Sequence, residues 1–125
     1  MANPNIVGVT TLTGKTDYFS FSDTNATVVL SNAASSNKVF KVNTIIVAND
    51  DGTNAADITV SLNSAAAGGG TAYQIANTIS VVADSTLVLI DRASSFYLLE
   101  DKSIVATASA ANDLNLIISY EEISS

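Results

Sequence analysis

The chain reads as all-β: a single-domain β-sandwich, jelly-roll-like, of about eight or more short antiparallel strands. Three observations predict this. Several short runs alternate apolar and polar residues with the period of a half-buried strand. Nearly half of the residues are Ala, Ser, Thr or Asn and proline occurs once, the composition of short strands joined by polar turns. No segment carries apolar residues at three- and four-residue spacing over the ten or so positions a helix needs. The 125 residues are enough for one domain, 1–125, that buries roughly two-thirds of its unfolded surface without a covalent staple, and no repeat or linker interrupts them.

Taken in order, the first strands are expected at Ile6 to Leu12, Asp17 to Phe21 and Ala26 to Ser31. The run KVFKVNTIIVAN, residues 38–49, is strand-like throughout. Its apolar face switches from Phe40 and Val42 to Ile45 and Val47 while Ile46 points the other way, so this strand is either central in a sandwich or bent by a bulge. Asp57 to Asn63 alternates without exception and directs Ile58, Val60 and Leu62 to the core. Further strands follow at Ala72 to Ala76, Thr78 to Val82, Thr86 to Ile90, Phe96 to Leu99 and Ser103 to Ser109. In the last run, Leu114, Leu116, Ile118 and Tyr120 share one face and Ile117 alone breaks the alternation, an outward apolar residue that invites a neighbour.

Two loops hold motif-like residues. NDDGTNAAD, Asn49 to Asp57, partly matches a calcium-loop template: with Gly52 at position 6, Asn49 and Asp51 take positions 3 and 5. Positions 1 and 12 fall on Val47 and Ile58 inside strands, so the stretch is better read as a hairpin loop, for which Asp-Gly between alternating runs is a strong signal, with a looser calcium site outside the template as the alternative. SAAAGGGTAY, Ser64 to Tyr73, has the glycines of a phosphate-binding loop but no Gly-Lys-Ser/Thr ending and no strand-to-helix context. It reads as a flexible hairpin loop at the rim.

Composition narrows the chemistry further. No cysteine is present, which excludes disulfides and thiolate metal sites, and no histidine, which removes the usual general base and commonest transition-metal ligand. Asp50, Asp51, Asp84, Asp91, Glu100, Asp101, Glu121 and Glu122 could pair for acid–base work, but each sits where a turn or strand end would place a solvated acid. The serines lack a histidine or a Ser-x-x-Lys partner. Asn25-Ala26-Thr27 matches a glycosylation acceptor that matters only in a secreted eukaryotic protein. No catalytic residue, cofactor or metal is expected.

A net charge of −7 with only five cations, Lys15, Lys38, Lys41, Arg92 and Lys102, argues against nucleic acid as a partner and suits docking on a basic one. No apolar stretch approaches the ~20 residues that cross a bilayer, and the opening MANPNIVGV lacks the pattern of a signal peptide. No membrane partner is expected. Among Tyr18, Phe19, Phe21, Phe40, Phe96 and Tyr97, adjacent aromatics must point to opposite faces of a strand, so one of each adjacent pair looks outward. Asn3, Asn5, Ile6, Val7 and Val9 near the N-terminus, together with Ile117, are the candidate interface residues.

The stretches Ser35 to Leu62 and Ser103 to Ser124, with the opening MANPNIVGVT, resemble small virion structural proteins of tailed bacteriophages, especially contractile-tailed cyanophages, over nearly the whole chain. The chain departs from that pattern at Leu99 to Ile104, where Asp101 takes the place of a glycine, leaving the positive-φ geometry of that turn to the structure. The resemblance implies a β-sandwich particle component without catalytic residues. It also implies a virion location, most readily as a capsid decoration or cement protein, assembled in the host cytoplasm and docked on the major capsid protein or other virion proteins as a trimer or other symmetric homo-oligomer. The alternatives are a tail, neck, baseplate or fibre-associated subunit, or a carbohydrate-binding module using rim loops Asp50 to Ala55 and Ala65 to Gly70.

Overall fold

In the computed structural model, which describes residues 7–124, the alternating runs form β1 (Thr11–Ser20), β2 (Thr27–Asn32), β3 (Lys38–Asn49), β4 (Ala56–Asn63), β5 (Ala72–Val81), β6 (Thr86–Ile90), β7 (Phe96–Leu98), β8 (Lys102–Ala108) and β9 (Leu114–Ser124). One sheet runs β1-β9-β3-β6, with β7 continuing the β6 edge of β3; the other runs β2-β8-β4-β5. The antiparallel pairs are nested: β1 with β9, β2 with β8, β3 with β6 and β7, β4 with β5. A single long hairpin closed at the β4–β5 turn and rolled up on itself has this order, joined across its halves by β3–β9 and β4–β8. The result is a double-sheet jelly roll.

The inward faces interdigitate as the alternation predicts. Val42, Ile45, Val47, Leu116 and Ile118 from one sheet meet Ile58, Val60, Ile104 and Ala106 from the other, all without solvent exposure. Each large side chain in that layer contributes roughly 1.5–3 kcal/mol by leaving water. The face switch in β3 has both predicted causes. Val42 faces Tyr120 and Thr44 faces Ser119, leaving Asn43 as a bulged extra residue, and the strand lies between β9 on one side and β6 and β7 on the other.

Two expected strand breaks are absent. The separation between Leu12 and Asp17 is bridged because β1 registers with β9 continuously from Thr11↔Ser124 to Ser20↔Asn115. A strand from Ile6 to Leu12 is not formed as such: residues 7–10 precede β1, and Ile6 lies outside the described residues. The gap between Ala76 and Thr78 is a bulge within β5. Asn77 and Thr78 together face Thr59, Thr78 adopts φ 50°, and its N–H donates to Thr59 Oγ1 at 3.0 Å.

Both motif-like loops differ from expectation. β3 and β4 belong to different sheets, so NDDGTNAAD is an arch carrying the chain across the sandwich and not a hairpin. Local pattern could not distinguish the two, because the Asp-Gly signal reports a turn and not which sheet the next strand joins. The β4–β5 connection is the expected hairpin, but it is neither at the rim nor loose. It lies back over the outer face of the second sheet, where Gly68 N donates to Ser103 Oγ (2.9 Å), Ser103 Oγ donates to Ala65 O (2.7 Å), Ala67 N donates to Ser31 Oγ (2.9 Å) and Asn63 Nδ2 donates to Gly68 O (3.0 Å). This cover explains why Ser61 and Asn63, on the polar side of β4, are buried.

Candidate interaction surface

One end of the sandwich is acidic. Asn49, at the end of β3, is buried, and its amide donates to Asn54 O (3.0 Å) and Val81 O (2.9 Å) while its Oδ1 accepts from Asp51 N (2.9 Å). This holds the arch down on the second sheet. Asp50 N donates to Asp113 O (2.9 Å) and Asp84 N to Asp51 O (3.1 Å), which draws the β3–β4, β5–β6 and β8–β9 connections together and gathers Asp50, Asp51, Asp84 and Asp113. Asp51 is held below the usual carboxylate range by the N–H groups of Thr53 and Asn54, at 2.7 and 3.2 Å from its Oδ1. Asp113 is pushed up by burial first and then by the charge of Asp51. Among the described residues no group of acids is arranged to hold a metal ion; the aspartates brace a turn.

The outer face of the first sheet is different in character. Strand register places Tyr18, Ile117, Ile46 and Val88 side by side across β1, β9, β3 and β6. Tyr18 is 81 % exposed, Val88 58 % and Ile117 36 %, with Ile46 half-buried between them. Two residues along the same strands, about 7 Å away, Thr44 and Ser119 begin a polar pocket of ≈ 380 Å³ lined also by Lys41, Asn43, Arg92, Ser95 and Glu121. The Asn43 bulge and the interruption between β6 and β7 build it. Ile45 pairs with Ile90 and Val42 with Phe96, so residues 91–95 leave the sheet and bring Arg92 and Ser95 over the bulge. Asp91 caps that short 3₁₀ turn, its Oδ1 accepting from Ala93 N (3.0 Å) and Ser94 N (3.1 Å).

Of the candidate interface residues, Asn3, Asn5 and Ile6 lie outside the described residues. Val7 is 91 % exposed and Val9 half-buried, but Thr10 N bonds Ser124 O (3.2 Å). This puts them at the far end of the β1–β9 ladder from Ile117, about 24 Å along it, so they do not form one patch with it. Of the adjacent aromatic pairs, Tyr18 and Tyr97 point outward while Phe19 and Phe96 pack against the core. Glu100 departs from the solvated reading. It is buried and its Oε2 accepts from Asn37 N at 2.7 Å. Glu122 instead receives both Lys15 (3.4 Å) and Lys38 (3.3 Å). The apolar row was half visible, in the outward Ile117 and in the Tyr18-Phe19 pair of which one had to face out; the pocket was not, because it is assembled by a bulge and a strand break that no local pattern records.

The fold thus defines a jelly-roll β-sandwich domain with an amphipathic outer face. No family model matches the chain, and no curated protein does. Among solved structures it is similar to a chain of the disulfide-linked pili of Bacillus endospore appendages, with a TM-score of 0.52 and 16 % identity over 92 % of this chain and 90 % of that one. It is also similar to a chain of the T13 IBDV viral particle, with a TM-score of 0.52 and 9 % identity over 93 % of this chain and 32 % of that one. A chain of the acid-stable capsid of Helicobacter pylori bacteriophage KHP30 matches at a TM-score of 0.48, with 12 % identity over 92 % of this chain and 89 % of that one. At these identities the likeness is one of fold.

Proposed function

We propose that this chain is a non-enzymatic structural protein of a phage virion, a capsid decoration or cement protein that docks on the head surface and strengthens it. The observation that carries the reading is the apolar row Tyr18–Ile117–Ile46–Val88 across a sheet face that nothing in the chain's own described residues covers. A sheet with one face in the core ordinarily turns polar residues to solvent on the other, and rows of this kind mark surfaces meant for another protein. The sequence resemblance to small virion proteins supplies the particle. The jelly-roll topology agrees with it, and so does a chain lacking His and Cys, which has no activated nucleophile to offer. Any association it makes is without disulfides.

Location and copy number in purified particles test the reading. Hundreds of copies on the head support decoration; a dozen or fewer at the tail transfer the protein to the neck, baseplate or fibre and end the cement assignment. Particles lacking the protein should release DNA at a lower temperature than complete ones, and unchanged release counts against strengthening. The carbohydrate-binding alternative gains nothing from the geometry, since neither Asp50 to Ala55 nor Ala65 to Gly70 lines the polar pocket and no aromatic ring does.

A further inference from the structure

We infer that the outer face of the β1-β9-β3-β6 sheet receives the acidic end of a second copy of this chain, Lys41 and Arg92 binding its aspartates, so that copies join head to tail. The inference rests on the structural reading above and adds to the contact with the head a contact between copies, centred on the polar pocket of that face.

The pocket supplies donors for a carboxylate. Lys41 and Arg92 are two of the five cations in a chain of net charge −7, they line the same concavity with Asn43, Thr44, Ser95 and Ser119, and neither makes an ion pair within the described residues, whose two salt bridges both go to Glu122 from other lysines. One carboxylate, Glu121, lines the pocket as well, leaving it net positive. Guanidinium and ammonium groups beside hydroxyls and an amide are the donor set that carboxylates take.

The occupant is identified by charge and by the apolar residues beside it. Asp50, Asp51, Asp84 and Asp113 gather at the tip of the sandwich with no lysine or arginine of the described residues within salt-bridge distance. Burial first, and then the charges of Asp51 and Asp50, raise Asp113 there. An acidic tip and a cationic pocket on different parts of the molecule are complementary in charge between copies. The apolar parts also correspond: Val82, 63 % exposed, stands two residues before Asp84 on the tip, as Ile117 and Val88 stand beside the pocket. Because the two surfaces are different, the contact is heterologous and propagates into a ring or filament instead of closing as a twofold dimer.

Sedimentation velocity on the full chain over a concentration series tests this. The wild type should form species larger than a dimer at low ionic strength and fewer at about 0.5 M salt, where charges are screened within a few ångströms. Lys41→Glu/Arg92→Glu reverses the pocket and Asp50→Lys/Asp84→Lys reverses the tip. Each variant alone should associate at least about tenfold more weakly, with far-UV circular dichroism unchanged, and an equimolar mixture should recover association, because each reversed surface then meets its complement. A wild type that stays monomeric at millimolar concentration, variants that associate like the wild type, or a mixture that stays monomeric overturns the inference. So does a pocket that binds only a different acidic protein. Particle localisation is independent of all of these, so a virion protein that fails here, or a self-associating protein absent from virions, separates this inference from the functional reading.

Discussion

Two asparagines show how single residues hold this fold together. Asn32 ends β2 and Asn49 ends β3, at points where the chain crosses between sheets. Asn32 Nδ2 donates to Lys38 O (2.9 Å) and Leu98 O (3.1 Å) and its Oδ1 accepts from the Ser36 hydroxyl; Asn49 does the same for Asn54, Val81 and Asp51. Replacing either by alanine strands two carbonyls, so Asn32→Ala and Asn49→Ala should each destabilise by about 2–4 kcal/mol, read as a lowered urea midpoint at constant slope. Tyr120 donates to Asp17 Oδ2 at 2.8 Å and lies against Phe40 with ring centroids 5.5 Å apart. Burial and then Asp17 hold its hydroxyl well above the ordinary value of 10.0. The folded state therefore keeps this proton longer than the unfolded state, and stability is lost as pH rises beyond about 10. Tyr120→Phe should cost ~1 kcal/mol at neutral pH and remove that alkaline loss. The tip aspartates act in opposite directions. Asp51, lowered from 3.8, stabilises above that pH and ceases to as pH falls through and below it; Asp113, raised from 3.8, opposes folding once ionised. At pH 7 Asp51→Asn should lower the urea midpoint and Asp113→Asn raise it, the Asp113 difference fading as pH falls towards 3.8 and the Asp51 difference only below 3.8.

At the scale of elements, the β4–β5 loop behaves as a covering layer. Gly70 adopts φ 72°, and a Cβ there would sit 2.3 Å from Ser64 Oγ and 2.8 Å from Ala65 N. Gly70→Ala should therefore destabilise by more than about 1 kcal/mol and raise amide exchange across Ala65–Gly70. The turn before β8 settles the question raised by Asp101 in place of glycine: it keeps a positive φ, 57°, with its Oδ1 accepting from Ala66 N at 3.2 Å. Aspartate tolerates that conformation better than most side chains, and here the loop supplies a partner for its carboxylate. The alternation in β4 and β9 was legible residue by residue, as was the face switch in β3. Burial of Ser61 and Asn63 was not, because their cover comes from a loop that folds back across strands β8 and β2.

For the molecule as a whole, nested pairing sets the folding problem. Thr11 must find Ser124 before β1 has any partner, and β9 sits between β1 and β3 in its sheet. Contacts this distant in sequence make folding slow, so refolding by stopped-flow fluorescence of the tyrosines should take milliseconds to seconds. Deleting residues 114–124 should abolish cooperative unfolding altogether, since it removes the strand joining the two halves of the first sheet.

The sequence by itself determined that this protein is all-β, which residues of β4 and β9 face its core, that β3 bends or lies at the centre, and that Ile117 faces outward. All follow from a two-residue period that each strand carries locally. The tertiary structure alone decided that NDDGTNAAD crosses between sheets, that the glycine loop covers a sheet face, and that Lys41 and Arg92 share one pocket beside Tyr18, Ile117 and Val88. These depend on which strands become neighbours, and that choice is made by long-range pairing energy distributed over the whole chain.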